Sequence, residues 1–138
     1  MALLVLDASV FLKAIKGNEE DSDLAKNLLL HIMDEDITVL VPRLFYYEVY
    51  GVATREGMKC SLIDTMLKDF ENTCLRYVTE DHLQVIALTK LGNSKSGYPS
   101  FYDSCYHAIA IAHQCDLVTA NKRHYDKAKK LGHIKLLA

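Results

Sequence analysis

The sequence predicts an α/β fold, a parallel sheet with helices on both faces. Three observations carry that expectation. Short apolar or β-branched runs, Leu3-Leu4-Val5-Leu6 and Ile37-Thr38-Val39-Leu40-Val41 among them, have the length and composition of buried strands. Segments with helical spacing of apolar residues lie between them. The two kinds alternate, with one helix or a helix pair between strands, which is the connection a parallel sheet needs.

The chain opens on an apolar run that ends at Asp7, read as a first strand, although periodicity alone also admits a buried helical segment. Val10 to Lys16 forms a short helix stopped by Gly17-Asn18. Ser22 or Asp23 caps a helix reaching about Glu35, with Leu24, Leu28 and Ile32 on one face. Ile37 to Val41 is the second strand, ended by Pro42, whose fixed φ suits the first turn of a helix from about Arg43 to Glu56. Gly57 closes that helix. Ser61 caps a helix to about Cys74, Leu75 to Val78 is a short strand, and Thr79 caps a helix from about Glu80 to Leu91, with Gly92 at its end. Asn93 to Ser100 is a loop of Ser, Gly and Pro, and Tyr102 to Gln114 is helical. Asp116 to Ala120 is a strand, Lys122 to Leu131 a basic helix, and Ile134 to Leu137 the last strand. With no repeat, linker or low-complexity segment, residues 1–138 read as one domain.

Composition excludes several classes of function. Half of the 138 residues are hydrophobic and a quarter are charged, as in a soluble globular protein. A net charge of −2 gives no global attraction to nucleic acid, so polyanion binding would need local basic patches. No stretch approaches the roughly 20 apolar residues that span a bilayer. The start lacks a basic segment and Asp7 interrupts the apolar run, so a secretory leader is not expected. Cys60, Cys74, Cys105 and Cys115 form no C-x-x-C pair, which argues against a zinc finger or thioredoxin-type site. Cys60 and Cys74, at opposite ends of one helix, would be about 21 Å apart and unable to bond. Free thiols and a cytoplasmic location are the expectation.

Four polar positions interrupt apolar surroundings: Asp7 after the first strand, Glu48 in the helix Leu44 to Tyr50, Asp103 opening an alanine-rich helix, and Asn121 after the fourth strand. Each acid has a structural explanation on its own. Asp7 could form a strand-end turn, Asp103 could cap a helix, and Glu48 could pair with Arg43 or Arg55. Together in one crevice, three carboxylates would raise one another's pKa unless a cation neutralised them. Carboxylate-rich sites suit the hard ions Mg²⁺ and Mn²⁺. A phosphoryl-acceptor signalling domain would instead need an acidic pair after the first strand and an Asp after the third, and would leave Glu48 unexplained.

Asp7-x-Ser9 after the opening strand, Pro42 followed by Glu48, Asp103 heading its helix, and Leu117-Val118-Thr119-Ala120-Asn121-Lys122 occur in that order. The chain thereby resembles the PIN-domain family, particularly the small VapC-like toxins. The resemblance implies a PIN-like three-layer α/β/α sandwich around a parallel sheet of four to five strands. It implies a Mg²⁺- or Mn²⁺-dependent ribonuclease that hydrolyses RNA phosphodiester bonds, the toxin of a toxin–antitoxin pair. Carried over by position, Asp7, Glu48 and Asp103 match the acidic metal positions, and Ser9 and Thr119 the polar residues that support them. Asn121 stands where many members have a fourth Asp, and its amide oxygen can coordinate a cation without adding charge. Partners implied are an RNA substrate, an antitoxin protein and a second copy of the chain. A catalytically weak PIN-like module that binds RNA or protein is the alternative, since Asn121 leaves the site one charge short.

Overall fold

The computed structural model describes residues 2–18, 20–91 and 97–138. Its elements run β1 (Leu3–Leu6), α1 (Ala8–Lys16), α2 (Ser22–Asp34), β2 (Thr38–Val41), α3 (Leu44–Arg55), α4 (Cys60–Thr73) and β3 (Leu75–Tyr77). They continue as α5 (His82–Leu91), α6 (Phe101–Ala112), β4 (Asp116–Thr119), α7 (Lys122–Ala128), a 3₁₀ turn (Lys129–Leu131) and β5 (Ile134–Leu136).

The five strands form one parallel sheet in the order β3-β2-β1-β4-β5. β1 lies in the middle, and its Val5 and Leu6 are wholly buried. That explains its unbroken apolar run, because a central parallel strand is covered on both faces. The order reverses between β1 and β4, and in sheets of this kind the crevice at such a reversal, outside the carboxyl ends of the strands, is where ligands bind. Asp7, one residue past β1, and Thr119, the last residue of β4, meet there.

The main core packs α1, α3 and α4 against the sheet. Phe11 stands edge-on to Phe45 at 5.7 Å between ring centroids and tilts against Phe70 at 5.8 Å. A smaller cluster of Val85, Leu88, Cys105 and Ala108 joins α5 to α6. The four cysteines are free, Cys74 and Cys105 being buried and Cys60 exposed.

The expected elements are present, and the departures lie at their ends. α2 is preceded by Asp21 in the left-handed conformation (φ 65), so neither Ser22 nor Asp23 occupies the cap position. α4 begins at Cys60, which puts Ser61 inside its first turn. α5 begins at His82, and Asp81 rather than Thr79 caps it, its Oδ1 accepting from Leu83 N at 2.9 Å. The Thr79 hydroxyl donates instead to Tyr77 Oη at 3.4 Å. The basic helix breaks after Ala128 into a 3₁₀ turn. Gly17 closes α1 as expected, with φ 73 and its N–H donating to Lys13 O. Gly92 and the first part of the expected loop, 93–96, lie outside the described residues.

Candidate metal and phosphodiester site

Asp7 is only 6 % exposed at the carboxyl end of β1. Its Oδ2 accepts from Ser9 Oγ at 2.5 Å and from Thr119 Oγ1 at 3.1 Å. Ser9 Oγ in turn accepts from Ala120 N at 3.1 Å, and Thr119 Oγ1 accepts from Asn121 N at 3.0 Å. One network therefore ties the turn after β1 to the turn after β4. It depends on the β1–β4 pairing, which sets Leu6 against Val118 and brings the two turns together. Burial raises the pKa of Asp7 and the charge of Asp103 raises it further, against the lowering effect of its bonds to Ser9 and Thr119.

Glu48 enters from α3. Arg43 and Arg55 are not its partners; the hydroxyl of Tyr106 on α6 donates to Glu48 Oε1 at 2.5 Å. Burial pushes Glu48 up to about 7, the Tyr106 bond opposes the rise, and the charges of Asp7 and Asp103 add to it. Tyr106 is itself only 1 % exposed. Burial and the nearby carboxylates hold its phenol well above the ordinary range, so it remains a donor.

Asp103 is not the cap of α6. That position belongs to Ser100, whose Oγ accepts from Asp103 N at 3.0 Å. Asp103 lies in the first turn, and among the described residues its carboxylate accepts no hydrogen bond. Its charge nevertheless reaches Asp7, Glu48 and His124.

Asn121 caps α7. Its Oδ1 accepts from Arg123 N at 3.1 Å and His124 N at 3.3 Å. The amide oxygen that could meet a cation is thus already occupied by its own helix. Asp116 lies at the other end of β4, against Lys135 at 3.2 Å, and takes no part.

The donor set fits a hard divalent cation in kind: carboxylate oxygens, with the pKa values of Asp7 and Glu48 raised by burial and by the charge of Asp103. It is a loose set rather than a closed shell. Among the described residues, no three His, Cys, Asp or Glu side chains stand together closely enough to hold a metal ion.

Two histidines lie behind the site. His107 Nε2 is satisfied by Gly132 O at 2.7 Å. His124, within the basic helix, is only 2 % exposed, and its Nε2 is buried without a hydrogen-bond partner among the described residues. The two rings stand 6.1 Å apart, edge to face. Among the basic residues of this region, Lys129 reaches Asp126 and Lys135 reaches Asp116, while Lys122, Arg123 and Lys130 are exposed. Tyr46 and Tyr50 are half-buried and held by Glu71 and Asp64.

A separate apolar groove of about 470 Å³ lies between α1, α2 and α4, walled by Phe11, Ile15, Leu30, Met33, Met66 and Phe70. None of the site's carboxylates lines it.

The PIN-domain family model matches residues 4–130. The chain belongs to the PIN-domain family. The match takes in Asp7, Glu48, Asp103 and Asn121. Among solved structures, VapBC2 from Rickettsia felis bound to a DNA fragment from their promoter has a chain that superposes with a TM-score of 0.71 at 18% identity, covering 99% of each chain. PAE2754 from Pyrobaculum aerophilum superposes with a TM-score of 0.63, also 18% identical, over 99% of this chain and 91% of its own. At that identity the likeness is one of fold. No curated protein matches the chain.

Tyr106, Ser100 and the burial of His124 escaped sequence reasoning. A signal existed for Tyr106, a tyrosine three residues after Asp103 at the head of a run rich in Ala and Ile. None existed for Ser100 as against Asp103, since both are good caps.

Proposed function

We propose that this PIN-domain protein is a Mg²⁺- or Mn²⁺-dependent endoribonuclease and the toxin half of a toxin–antitoxin pair in the cytoplasm. The observation that carries the reading is the convergence of three acids from three elements on the β1–β4 crevice, where the charge of Asp103 acts on Asp7 and the charges of Asp7 and Asp103 act on Glu48. Proteins rarely keep such a set unless a function requires it.

In this reading Asp7 and Asp103 hold the cation, with Glu48 as a third ligand or acting through water. A bound Mg²⁺ or Mn²⁺ would activate a water for attack on phosphorus and offset charge on the phosphate oxygens. Ser9 and Thr119 orient Asp7 by donating to Oδ2. Tyr106 does the same for Glu48. Asn121 fixes the start of α7 beside the site and is a ligand only if its oxygen leaves the two amides it now accepts from.

For an antitoxin, the apolar groove between α1, α2 and α4 offers a partner the burial that the acidic edge lacks. The Rickettsia felis VapBC2 assembly supports the presence of such a partner. A homodimer also belongs to this reading, and α5 carries the apolar face for it.

Purified protein should cleave RNA when Mn²⁺ or Mg²⁺ is added, and Asp7→Asn should lose that cleavage. Equal cleavage by both would dismiss the nuclease reading. The alternative, a binding module without chemistry, is favoured by the engaged oxygen of Asn121 and the loose ligand set. Calorimetry separates the two: Mn²⁺ binding abolished by Asp103→Asn supports the enzyme, and no binding at all supports the module.

A further inference from the structure

The chain has twelve aromatic side chains, eight Tyr and four Phe. Seven are buried or half-buried in the fold. The other five are exposed: Tyr47 (65%), Tyr77 (41%), Tyr98 (56%), Phe101 (42%) and Tyr102 (64%). Burial alone would scatter leftover aromatics over the surface. These five fall in two groups beside the acids.

The first group is at the carboxyl ends of β2 and β3. Tyr77 ends β3, level with Val41, and β3 is two strands from β1, so this group is displaced roughly 10 Å along the sheet edge from Asp7. The Arg43 guanidinium lies 5.0 Å above the Tyr77 ring, a cation–π stack. Tyr47, within electrostatic reach of Arg43, precedes Glu48 directly in the chain. The second group, Tyr98, Phe101 and Tyr102, lies at the start of α6, within five residues of Asp103.

We infer that the two groups are base-stacking subsites that hold an unpaired RNA strand across the carboxylates. This rests on the nuclease reading for the identity of the strand. Flat exposed rings bind any base through its π face, at a strength useful for single strands and without sequence reading. A duplex hides those faces in its own stack. Arg43 adds a charge to meet a phosphate, and the exposed Lys122 and Arg123 do so on the β4 side. Acids at the centre repel a polyanion, so the centre of this edge offers capture through bases, with phosphate contacts left to the cations at its two sides. A protein partner would favour the aliphatic face of α5 or the groove behind α1, where no cation–π stack occurs among the described residues.

The test uses the full chain and a short fluorescein-labelled RNA, single-stranded or annealed to its complement, titrated in EDTA. Wild type should bind the single strand more tightly than the duplex and lose tyrosine emission as it does so, there being no tryptophan. Tyr77→Leu and Tyr102→Leu should each weaken single-strand binding at least about fivefold, while Tyr77→Phe and Tyr102→Phe, which keep the ring, should bind as wild type. Leucine variants that bind like wild type would overturn the inference, as would a preference for duplex. So would a change of oligomeric mass in place of a change of affinity, which would make the rim a protein interface. Ring-dependent binding without cleavage in Mn²⁺ leaves the subsites standing and removes the nuclease. Cleavage with KM unchanged in the leucine variants does the reverse.

Discussion

Glu48 sits half-buried under the hydroxyl of Tyr106, and its pKa of about 7 compares with an ordinary 4.5. Between those values the folded protein keeps a proton that the unfolded chain has released. Stability from this group is therefore full below about 4.5 and lost as pH rises through 7. His124 acts in the opposite sense. Burial pushes it down to about 4 from 6.5, so its contribution is full above 6.5 and lost as pH falls through 4. The two slopes oppose each other in the overlap. Glu48→Gln should remove one of them: in EDTA the variant should gain stability as pH rises from about 4.5 to 6.5, and exceed wild type at pH 8 by on the order of 1 kcal/mol after allowance for solvent screening. Urea midpoints across that range measure it, and superimposable wild-type and variant curves would refute it. Tyr106→Phe removes a bond that lowers the Glu48 pKa, so Mn²⁺ affinity in the variant should need a higher pH to reach its plateau, with about 1–2 kcal/mol lost in stability. An unchanged pH profile of Mn²⁺ binding would count against that role. At this scale the acids were legible because each breaks an apolar run. Their partners were not, since Tyr106 lies 58 residues from Glu48 and only the fold brings the pair together.

At the scale of elements, two helix starts set the positions of site residues. Ser100 Oγ fixes the first turn of α6 by accepting from Asp103 N, leaving the Asp103 carboxylate to the site. Ser100→Ala should cost about 1 kcal/mol of stability, and Mn²⁺ should bind less tightly because the first turn is less fixed. Calorimetry beside urea unfolding would show both, and a stability loss with unchanged affinity would confine Ser100 to a structural role. α7 offers the complementary case. Asn121→Asp keeps an oxygen for both amides and places negative charge at a helix N-terminus, where the dipole favours it. That variant should retain α7 and bind Mn²⁺ several-fold more tightly, whereas Asn121→Ala should lose about 1 kcal/mol through the missing cap. Helix starts were the least legible feature of the sequence. Thr79 and Asp81 both precede α5 with capping side chains, and the choice falls on Asp81 by a bond that depends on where β3 lets the chain go.

At the scale of the molecule, the alternation of strands and helices sufficed to expect a parallel sheet, but not its order. That order, β3-β2-β1-β4-β5, places β1 beside β4 and so creates the crevice. The apolar character of β1 hinted at a central position, because only a strand covered on both faces reads without alternation. α5 is the element whose sequence and surroundings disagree. His82-Leu83-Gln84-Val85-Ile86-Ala87-Leu88-Thr89-Lys90-Leu91 is apolar around much of its circumference, yet only Val85 and Leu88 are buried. Leu83 is 67% exposed, Leu91 66% and Ile86 40%. Leu83, Ala87 and Leu91 follow one another at i, i+4 spacing and form a single stripe, the pattern of a helix that meets a partner. A second copy of the chain packing stripe against stripe would bury the exposed leucines of both. The double variant Leu83→Glu, Leu91→Glu should then halve the mass measured by light scattering while changing chain stability by less than about 0.5 kcal/mol, as exposed sites do. RNA cleavage per chain should persist in the monomer if each copy carries its own acids. A wild type that is monomeric at every concentration, or a variant that keeps its mass, would leave the stripe of α5 to another protein.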